Sequence, residues 1–456
     1  MCCMSKRYRA WNVDQPQLLP PSVQELVPEG HLSHFVRDLV RDSLDLSEIV
    51  GEYREGRGYP PYHPVMMTAL LLYSYSQGIR SSRAIARACE QRVDFMAVTA
   101  MQYPDFRTIC LFRDRHRVAL EGLFVQVLAL CDEAGLVKLG HVALDGTKVH
   151  ANASKHKAMS YGRMKQREQE YAAQVAAWFE QAAATDEAED EAHGAERSGD
   201  EMPEWVKSKQ ARLEKLREAK AALEAEAAQE HAAKMEAAES ADDGDAPGGD
   251  AVSGASGGVQ APEEPPAPPA PNDKAQRNFT DPESRIMKTH NGFEQAYNGQ
   301  AIVDADSQVI VAYGLTNAAN DKQQLIPMIE RLFGNTGRLP EEFSADSGYC
   351  SQANLQYLEE SGIRGYVATG RQKHGSASAT GSRESESYTA AMSRRLKQGG
   401  HRSRYRLRKQ TVEPVFGQIK AARGLRQFLM RGLEKVRSEW GLECTAHNLL
   451  KLGAVW

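Results

Sequence analysis

The feature that most restricts the fold of this chain is the stretch from 160 to 273, which is too poor in apolar residues to form a core. Up to about residue 240 it is rich in Ala, Glu, Lys and Gln, a composition that favours long, exposed helices. From 241 to 273 it consists largely of Asp, Gly, Ala and Pro, which do not order themselves. We therefore expect an insertion over 160–276, helical and then disordered, and a compact protein assembled from the chain on either side.

Charge is divided unevenly between this insertion and the rest of the chain. The 456 residues carry a formal net charge of −5, but residues 160–273 contain 26 Asp/Glu and 11 Lys/Arg. The remaining residues therefore carry a net charge of +10. The most basic part is 364–437, with 18 Lys/Arg against 4 Asp/Glu. A surface of that kind attracts polyanions.

Length and composition favour a soluble intracellular protein. The chain is long enough for roughly two to four domains with real cores. Its seven cysteines show no zinc-ligand spacing, and the N-terminus lacks the apolar segment of a signal peptide, so reduced thiols are expected. The longest apolar run, 65–73, is about half of the ~20 residues that a membrane span requires.

The segment 22–138 is predicted to form a helical domain. An apolar run ends at Gly78, and a second helix is expected over 83–92. Arg83 and Arg87 lie away from the apolar face of that second helix. Two short helices joined by a glycine turn, the second of them basic, are typical of a DNA-binding helix-turn-helix. An ordinary helical hairpin with a solvated basic face has the same pattern.

The period of the sequence changes at 141–150, which is apolar and β-branched around a single acid, Asp145. The pattern predicts a buried strand. A carboxylate in such a strand is costly unless it is paired or binds a metal ion, so Asp145 is a candidate site residue. The alternative is that Asp145 and Gly146 form the turn of a β-hairpin.

A second acid, Asp346, is predicted at the C-terminal end of a short strand beyond the insertion. Between the two acids the sequence predicts a hairpin of strands over 295–304 and 308–316 and then a helix over 322–333. A helix over 352–360 and a further short strand follow Asp346. The acid is therefore expected at one end of a sheet.

A third acid, Glu413, is embedded in the basic run 405–420. On a helix, Lys409, Glu413 and Lys420 share one face, so a carboxylate and two cations point the same way. The alternative is that Glu413 is the first-turn acid of a helix that begins at Pro414, where it would only stabilise the helix dipole.

Without the insertion, the order of strands and helices is that of the ribonuclease-H-like fold, an α/β fold with a mixed sheet. In that fold an acid on the first strand, one after the fourth strand and one on a late helix converge at one end of the sheet. The expected division of the chain is 1–21 (N-terminal tail), 22–138 (helical DNA-binding domain), 139–159 (first strand of the catalytic domain), 160–276 (insertion) and 277–456 (the rest of the catalytic domain, with basic C-terminal helices).

Three carboxylates in one place repel one another unless cations lie among them. Hard oxygen ligands suit Mg²⁺ or Mn²⁺. Two such ions about 3.5–4 Å apart activate a water or a 3′-hydroxyl and stabilise the leaving oxygen during attack on a phosphodiester. The acids and the basic surface together predict a two-metal site that acts on DNA.

A series of motifs occurs along the chain in a specific order. They are Tyr62-His-Pro-Val-Met-Met-Thr-Ala-Leu-Leu-Leu-Tyr, Ser82-Arg-Ala-Ile-Ala-Arg, Leu144-Asp-Gly-Thr-Lys-Val, Asp281-Pro-Glu-Ser-Arg, Ala319-Asn-Asp-Lys-Gln-Gln-Leu, Ala345-Asp-Ser-Gly-Tyr, Val412-Glu-Pro-Val-Phe-Gly-Gln-Ile-Lys and Thr445-Ala-His-Asn-Leu-Leu-Lys-Leu. With these motifs, nearly the whole chain outside the N-terminus and the insertion resembles the DDE transposases of bacterial insertion sequences, and among them the branch called IS-eleven-eighty-two.

The resemblance implies an enzyme that binds the terminal inverted repeats of its insertion sequence and catalyses Mg²⁺-dependent strand cleavage and transfer. It also implies a homodimer on DNA in the bacterial cytoplasm. Carried over by position, it implies metal binding and catalysis by Asp145, Asp346 and Glu413.

A related transposase signature, Tyr-x2-Arg-x3-Glu-x6-Lys, maps onto Tyr405, Arg408, Glu413 and Lys420. Four residues instead of three separate Arg408 from Glu413, so either Arg408 or Lys409 takes the place of the signature arginine. The resemblance implies that the basic pair contacts phosphates at the transposon end.

Other interpretations stay open at this point. A decayed transposase would bind DNA as a regulator without catalysis, and an RNase H-like nuclease would cut without regard to end sequence. The rival carboxylates Asp304, Asp306 and Asp321 are expected to be structural, because the first two flank a turn and the third begins a helix. His150 and His447 are expected in the core or on the surface rather than as ligands.

Overall fold

The computed structural model describes residues 22–53, 60–193, 204–242, 270–289, 292–369, 387–399 and 404–456. The predicted N-terminal tail and the greater part of the stretch predicted to be disordered (243–269) lie outside these residues. Within the described ranges, no helix is both long and apolar enough to cross a membrane.

The chain before the insertion is helical, as its pattern predicts. The described helices are α1 (Leu32–Asp42), α2 (Ser47–Gly51), α3 (Pro64–Ser76), α4 (Ser82–Gln91), α5 (Val93–Thr99), α6 (Phe106–Arg115) and α7 (Arg117–Glu133). The basic helix α4 buries Ile85 and Cys89 and exposes Arg83 and Arg87. Its apolar and basic faces are therefore separated as its sequence predicts.

The strands form one mixed sheet and one separate pair. They are β1 (His141–His150), β2 (Ala158–Ser160), β3 (Gln276–Asn278), β4 (Arg285–Thr289), β5 (Gly292–Asp304), β6 (Ile310–Thr316), β7 (Glu342–Ala345) and β8 (Arg364–Val367). The large sheet has the order β4-β5-β1-β7-β8, and β6 pairs with the same edge of β5 as β4, further along the strand. β2 and β3 pair at the base of the insertion.

The central strand, β1, positions two of the predicted acids. It runs antiparallel to β5 and parallel to β7, and β7 runs parallel to β8. Leu144 is paired with Ala345, so the next residues, Asp145 and Asp346, lie at the same level of two neighbouring parallel strands. Asp145 is in the middle of a ten-residue strand, opposite Ala301. The alternative of a β-turn at Asp145 is therefore wrong.

The helices after β1 are α8 (Tyr161–His193), α9 (Glu204–Asp242), α10 (Leu325–Thr336), α11 (Gln352–Glu360), α12 (Tyr388–Gly399), α13 (Leu407–Gly417) and α14 (Leu433–Gly453). α13 continues as a π-helix over Gln418–Ala422. α12 lies in the part of the chain between β8 and α13.

Two expectations about helix ends are also wrong. Pro414 lies inside α13, so Glu413 is not the first-turn acid of a helix that begins there. The N-cap of α10 is Gln324, so Asp321 does not begin that helix as expected. In both places the local signal for a helix start is overridden by the packing of the chain.

The first part of the insertion is helical, as predicted. α8 and α9 pack against each other, and Glu168 of α8 accepts hydrogen bonds from Arg217 (3.0 Å) and Lys220 (3.1 Å) of α9. The two helices share a small core that is separate from the main one and consists of Tyr161, Met164, Leu216, Ala219 and Leu223.

The C-terminal helix, α14, joins the N-terminal helices to the sheet. It packs against α3 and α7 and also against β6. Trp440 is fully buried on Gly299 of β5, where a Cβ atom would come within 3.1 Å of the indole ring. The indole Nε1 donates to the carbonyl of Gln300 (3.2 Å). Helices and sheet therefore share one continuous hydrophobic core.

A buried ionic group lies where the turn between α3 and α4 meets α14. Glu443 is fully buried; Arg80 Nη1 donates to its Oε1 (3.0 Å), and Arg423 Nε donates to its Oε2 (3.4 Å). Gly78 has φ +72°, and a Cβ atom there would lie 2.5 Å from the carbonyl oxygen of Arg423. Glycine is required at this position both for the backbone conformation and for the close approach.

Candidate active site

Asp145 lies in the centre of the sheet. Its Oδ1 accepts a hydrogen bond from the amide of Gly146 (2.9 Å), and its Oδ2 accepts one from Arg408 Nη1 (2.7 Å). Burial raises the pKa of the Asp145 carboxyl to about 6; the charge of Arg408 opposes this shift, and the Asp346 carboxylate adds to it. The ionised form of Asp145 therefore depends on a neighbouring cation.

Asp346 follows β7 and caps a short 3₁₀ helix, where its Oδ1 accepts a hydrogen bond from the amide of Gly348 (2.8 Å). The buried side chain of Tyr349 shows which acids lie nearby. Burial raises the pKa of its hydroxyl well above the usual value, and the negative charges of Asp321, Asp145 and Asp346 raise it further. Asp145, in the middle of β1, and Asp346, just after β7, thus both lie near Tyr349.

Glu413 reaches the same region from α13, which packs against β1. Its side chain is 53% exposed, and its Oε1 lies 3.8 Å from Arg408 Nη2. Burial opposes the positive charge of Arg408, but Asp145 and Asp346 stabilise that charge, and the pKa of the guanidinium is raised. Asp145 and Glu413 therefore both contact one largely buried cation, and Asp346 is near enough for its charge to stabilise that cation.

The two candidates for the signature arginine differ in their surroundings. Arg408 lies within the group of acids, and its guanidinium carbon is 5.9 Å from the ring centroid of Tyr405. Lys409 is exposed. Lys409 is thus directed to solvent rather than to β1.

Lys420 lies in the π-helix and contacts the same strand. Its Nζ donates to the carbonyl of Lys148 (2.6 Å). Burial, together with the positive charges of Arg426 and Lys148, lowers the pKa of Lys420 to about 8. A lysine held beside two other cations is stabilised by an anionic partner.

The arginines predicted to bind DNA from α4 are on the surface. The guanidinium of Arg83 lies over the ring of Phe106, 4.9 Å from its centroid, and Arg107 lies over the same ring at 5.6 Å. Arg87 is also exposed. Because α4 packs against α6, the two helices form one basic surface around an exposed aromatic ring.

Asp321 is the residue that the sequence did not assign to the site. Instead of capping a helix, it accepts hydrogen bonds from Asn298 Nδ2 (2.6 Å) and Gln300 Nε2 (2.8 Å), and its Oδ2 lies 3.5 Å from Lys148 Nζ. The signal that could have found it is the motif of residues 319–325, which contains this acid.

The other rival residues have structural surroundings. Asp304 accepts a hydrogen bond from the amide of Lys138 (3.0 Å), and Asp306 forms an ion pair with the side chain of the same lysine (3.7 Å). His150 pairs with a glutamate on β5, and His447 is buried against a backbone carbonyl. These contacts within the protein explain the positions of the four side chains, so no bound ligand is needed to explain them.

The acids have the donor chemistry for Mg²⁺ or Mn²⁺, which prefer carboxylate oxygens. Within the described part of the chain, no three His, Cys, Asp or Glu side chains are placed to ligate one ion. The guanidinium of Arg408 lies between Asp145 and Glu413 instead. A position that already holds a cation between two carboxylates fits a metal ion once the arginine moves away.

Comparison with known proteins points to the same class. Residues 21–115 match the family model for a transposase domain (DUF772), and residues 369–453 match the model for a transposase DDE domain. The chain matched no curated protein and no solved structure. The two family matches support a DDE-type transposase, and the mixed sheet with its helices is consistent with an RNase H-like fold.

Proposed function

We propose that this protein binds the terminal inverted repeats of an insertion sequence and catalyses metal-dependent cleavage and transfer of DNA strands. The observation that carries the proposal is that Arg408 contacts both Asp145 and Glu413 and is stabilised by the charge of Asp346, in a chain that matches a transposase DDE domain. The assignment to the IS-eleven-eighty-two branch is part of the same proposal and rests on the order of the motifs.

The metal ions, when bound, would activate the attacking water or 3′-hydroxyl and stabilise the leaving oxygen. Asp145, Asp346 and Glu413 would hold them. Asp145 lies within β1 and Asp346 directly follows the neighbouring strand β7, whereas Glu413 comes from a helix and is half exposed. Arg408 would leave the acids as the ions enter and would then be free to bind a phosphate.

The DNA would lie on the basic surface around these acids. Lys409 is exposed beside the site, and Lys420 follows on the next turns of the same helix. Tyr405 stands at the start of that helix. Arg83 and Arg87 would contact phosphates from α4. We propose a homodimer on DNA, because two transposon ends must be joined in one reaction.

The decisive assay compares DNA substrates that carry the cognate ends with substrates in which those ends are scrambled. The proposal expects Mg²⁺-dependent nicking and joining at the cognate ends alone. Binding without cleavage would favour the decayed transposase that acts as a regulator. Cutting of both substrates to the same extent would favour an RNase H-like nuclease.

Arg408 is expected to compete with metal ions for the acids of the site. A hydrogen bond to a charged group contributes roughly 1.5–3 kcal/mol, so replacing Arg408 with Gln should tighten Mn²⁺ binding to the DNA-free protein by about tenfold or more. Calorimetric titration at pH 8 measures this. Lys409→Gln is the matched control and should change the affinity by less than about twofold. Equal affinities for wild type and Arg408→Gln would contradict the competition.

Affinity for DNA ends is expected to fall as the pH rises through the pKa of Lys420. Below about 8 the ammonium is charged and attracts phosphate, and above it the group becomes neutral. Binding measured by fluorescence anisotropy should weaken roughly tenfold between pH 7 and pH 9.5. Lys420→Arg stays charged throughout and should remove this dependence. A wild-type affinity that is constant over this range would show that Lys420 does not contact the DNA.

A further inference from the structure

Asp321 is held at the site by three side chains from two strands. Its Oδ1 accepts from both Asn298 and Gln300 of β5, at 2.6 and 2.8 Å, and its Oδ2 lies 3.5 Å from Lys148 Nζ of β1. Each of the two carboxylate oxygens of Asp321 therefore has at least one partner within the protein. The loop before α10 is therefore fixed to the centre of the sheet through one acid.

Two glycines close to the site aspartates in sequence, Gly146 and Gly348, lie next to the carboxylate of Asp321. A Cβ atom on Gly146 would lie 2.9 Å from Asp321 Oδ1, and one on Gly348 would lie 3.4 Å from Asp321 Oδ2. Gly146 follows Asp145 directly, and Gly348 donates its amide to Asp346. Asp321 thus occupies the space between the backbone segments that carry both aspartates.

The fully buried side-chain amide of Asn298 is oriented toward Asp321 although this leaves its own oxygen without a partner among the described residues. Its Nδ2 is turned to Asp321, and among the described residues its Oδ1 has no hydrogen-bond partner. A buried acceptor without a partner costs free energy, which the contact with Asp321 must offset. On the other side, the hydroxyl of Tyr349 donates to Gln300 Oε1, which extends the network to the turn that carries Asp346.

Asp321 acts from the face of the sheet opposite Asp145. Side chains alternate along a strand, so Gly146 and Lys148 share one face of β1 and Asp145 lies on the other. Since Asp321 contacts the Gly146 and Lys148 face, it supports the backbone from behind. That placement distinguishes it from the acids grouped around Arg408.

We propose that Asp321 is a positioning residue that holds Asp145 and Asp346 at the spacing a divalent ion requires, by locking together the two backbone segments that carry them. The inference rests on the proposed function, because it concerns the same acids. Groups that orient metal ligands without touching the metal typically contribute about 10- to 100-fold to metal affinity or activity. An effect of that size is expected here.

The test compares Asp321→Ala with Asp321→Asn in Mn²⁺ titrations of the full chain, followed by electron paramagnetic resonance. Asp321→Ala should weaken Mn²⁺ binding by about tenfold or more. Asp321→Asn keeps an oxygen that accepts from Asn298 and Gln300, so this variant should retain most of the wild-type affinity. Asp306→Asn, an exposed acid in the turn after β5, is the matched control and should bind as wild type does.

Several outcomes would overturn the inference. Asp321→Ala that binds Mn²⁺ as well as wild type would refute the positioning role, and Asp321→Asn that binds as weakly as Asp321→Ala would indicate a direct ligand instead. If Asp321→Ala does not fold, Gly348→Ala provides the second variant, because its Cβ would lie 3.0 Å from Asp346 Oδ1 and 3.4 Å from Asp321 Oδ2. Normal Mn²⁺ binding by folded Gly348→Ala would equally contradict the proposal.

The same titration distinguishes a failure of the proposed role of Asp321 from a failure of the proposed function. Wild type that binds Mn²⁺ and cleaves cognate ends, together with an unaffected Asp321→Ala, would refute only the role of Asp321. Wild type that binds no Mn²⁺ and cleaves no DNA would refute the proposed function and the inference with it.

Discussion

Replacing Glu413 with Gln is expected to reduce cleavage of cognate DNA ends by at least about 10³-fold, because a lost metal ligand removes several kcal/mol of transition-state stabilisation. The substitution preserves the shape of the side chain and removes only its charge. Glu413 is half exposed, and its carboxylate lies at a long distance of 3.8 Å from Arg408 Nη2. The fold and the affinity for DNA should therefore be nearly unchanged.

Single-turnover cleavage and anisotropy measured on the same preparations test this prediction. Glu359→Gln, an exposed acid on α11, serves as the control and should cleave at the wild-type rate. Wild-type cleavage by Glu413→Gln would show that Glu413 is not part of the catalytic site. Loss of DNA binding together with cleavage would show a structural or DNA-binding role instead.

Replacing Glu443 with Ala is expected to lower the free energy of unfolding by about 3–5 kcal/mol, the cost of removing one partner from a buried ion pair. Glu443 is fully buried, and its removal leaves Arg423 and Arg80 with unpaired charge at the junction of α14 and the N-terminal helices. Burial raises the pKa of Glu443 while the two arginines oppose that shift, so the charged carboxylate depends on them.

Guanidinium chloride denaturation of the full chain measures this effect. Glu434 on the same helix is the matched control, because it is 73% exposed and pairs with Arg117 at 3.1 Å. Glu434→Ala should change the free energy of unfolding by less than about 1 kcal/mol. A loss below about 1 kcal/mol for Glu443→Ala would mean that the ionic group does not hold the junction together.

The acids of the site were accessible to sequence reasoning because their signals are local. Asp145 stands out as one charge in an apolar, β-branched strand, and the strand has the predicted bounds. Asp346 follows a short strand and precedes the helix at 352–360, which also forms as predicted. Glu413 was found through its basic surroundings, although its position inside the helix was only one of two expectations.

The contacts of Asp321 were not foreseen because its partners are distant in sequence. An acid just before a helix normally caps it, and the residues nearby contain nothing that argues otherwise. The amides that bind it come from Asn298 and Gln300, on a strand that pairs with β1 only in the folded sheet. The same reason hid Glu443, whose partners come from segments that meet only in the tertiary structure.

The location of Arg408 also depends on packing. The sequence left Arg408 and Lys409 as equal candidates, because the spacing to Glu413 departs by one residue from the signature. Only the docking of α13 on β1 directs one of the two neighbouring side chains to Asp145 and the other to solvent. The rotation of a helix about its axis is set by tertiary contacts.

The central claim is that Asp145, Asp346 and Glu413 surround the same metal ions. Iron-directed cleavage of the protein tests it most directly, because Fe²⁺ bound in place of Mg²⁺ generates radicals that cut the nearby backbone. The account predicts cuts close to all three residues, suppressed by excess Mg²⁺ and absent from Asp145→Asn. Cuts at only one of the three positions, or cuts that Mg²⁺ does not suppress, would contradict it.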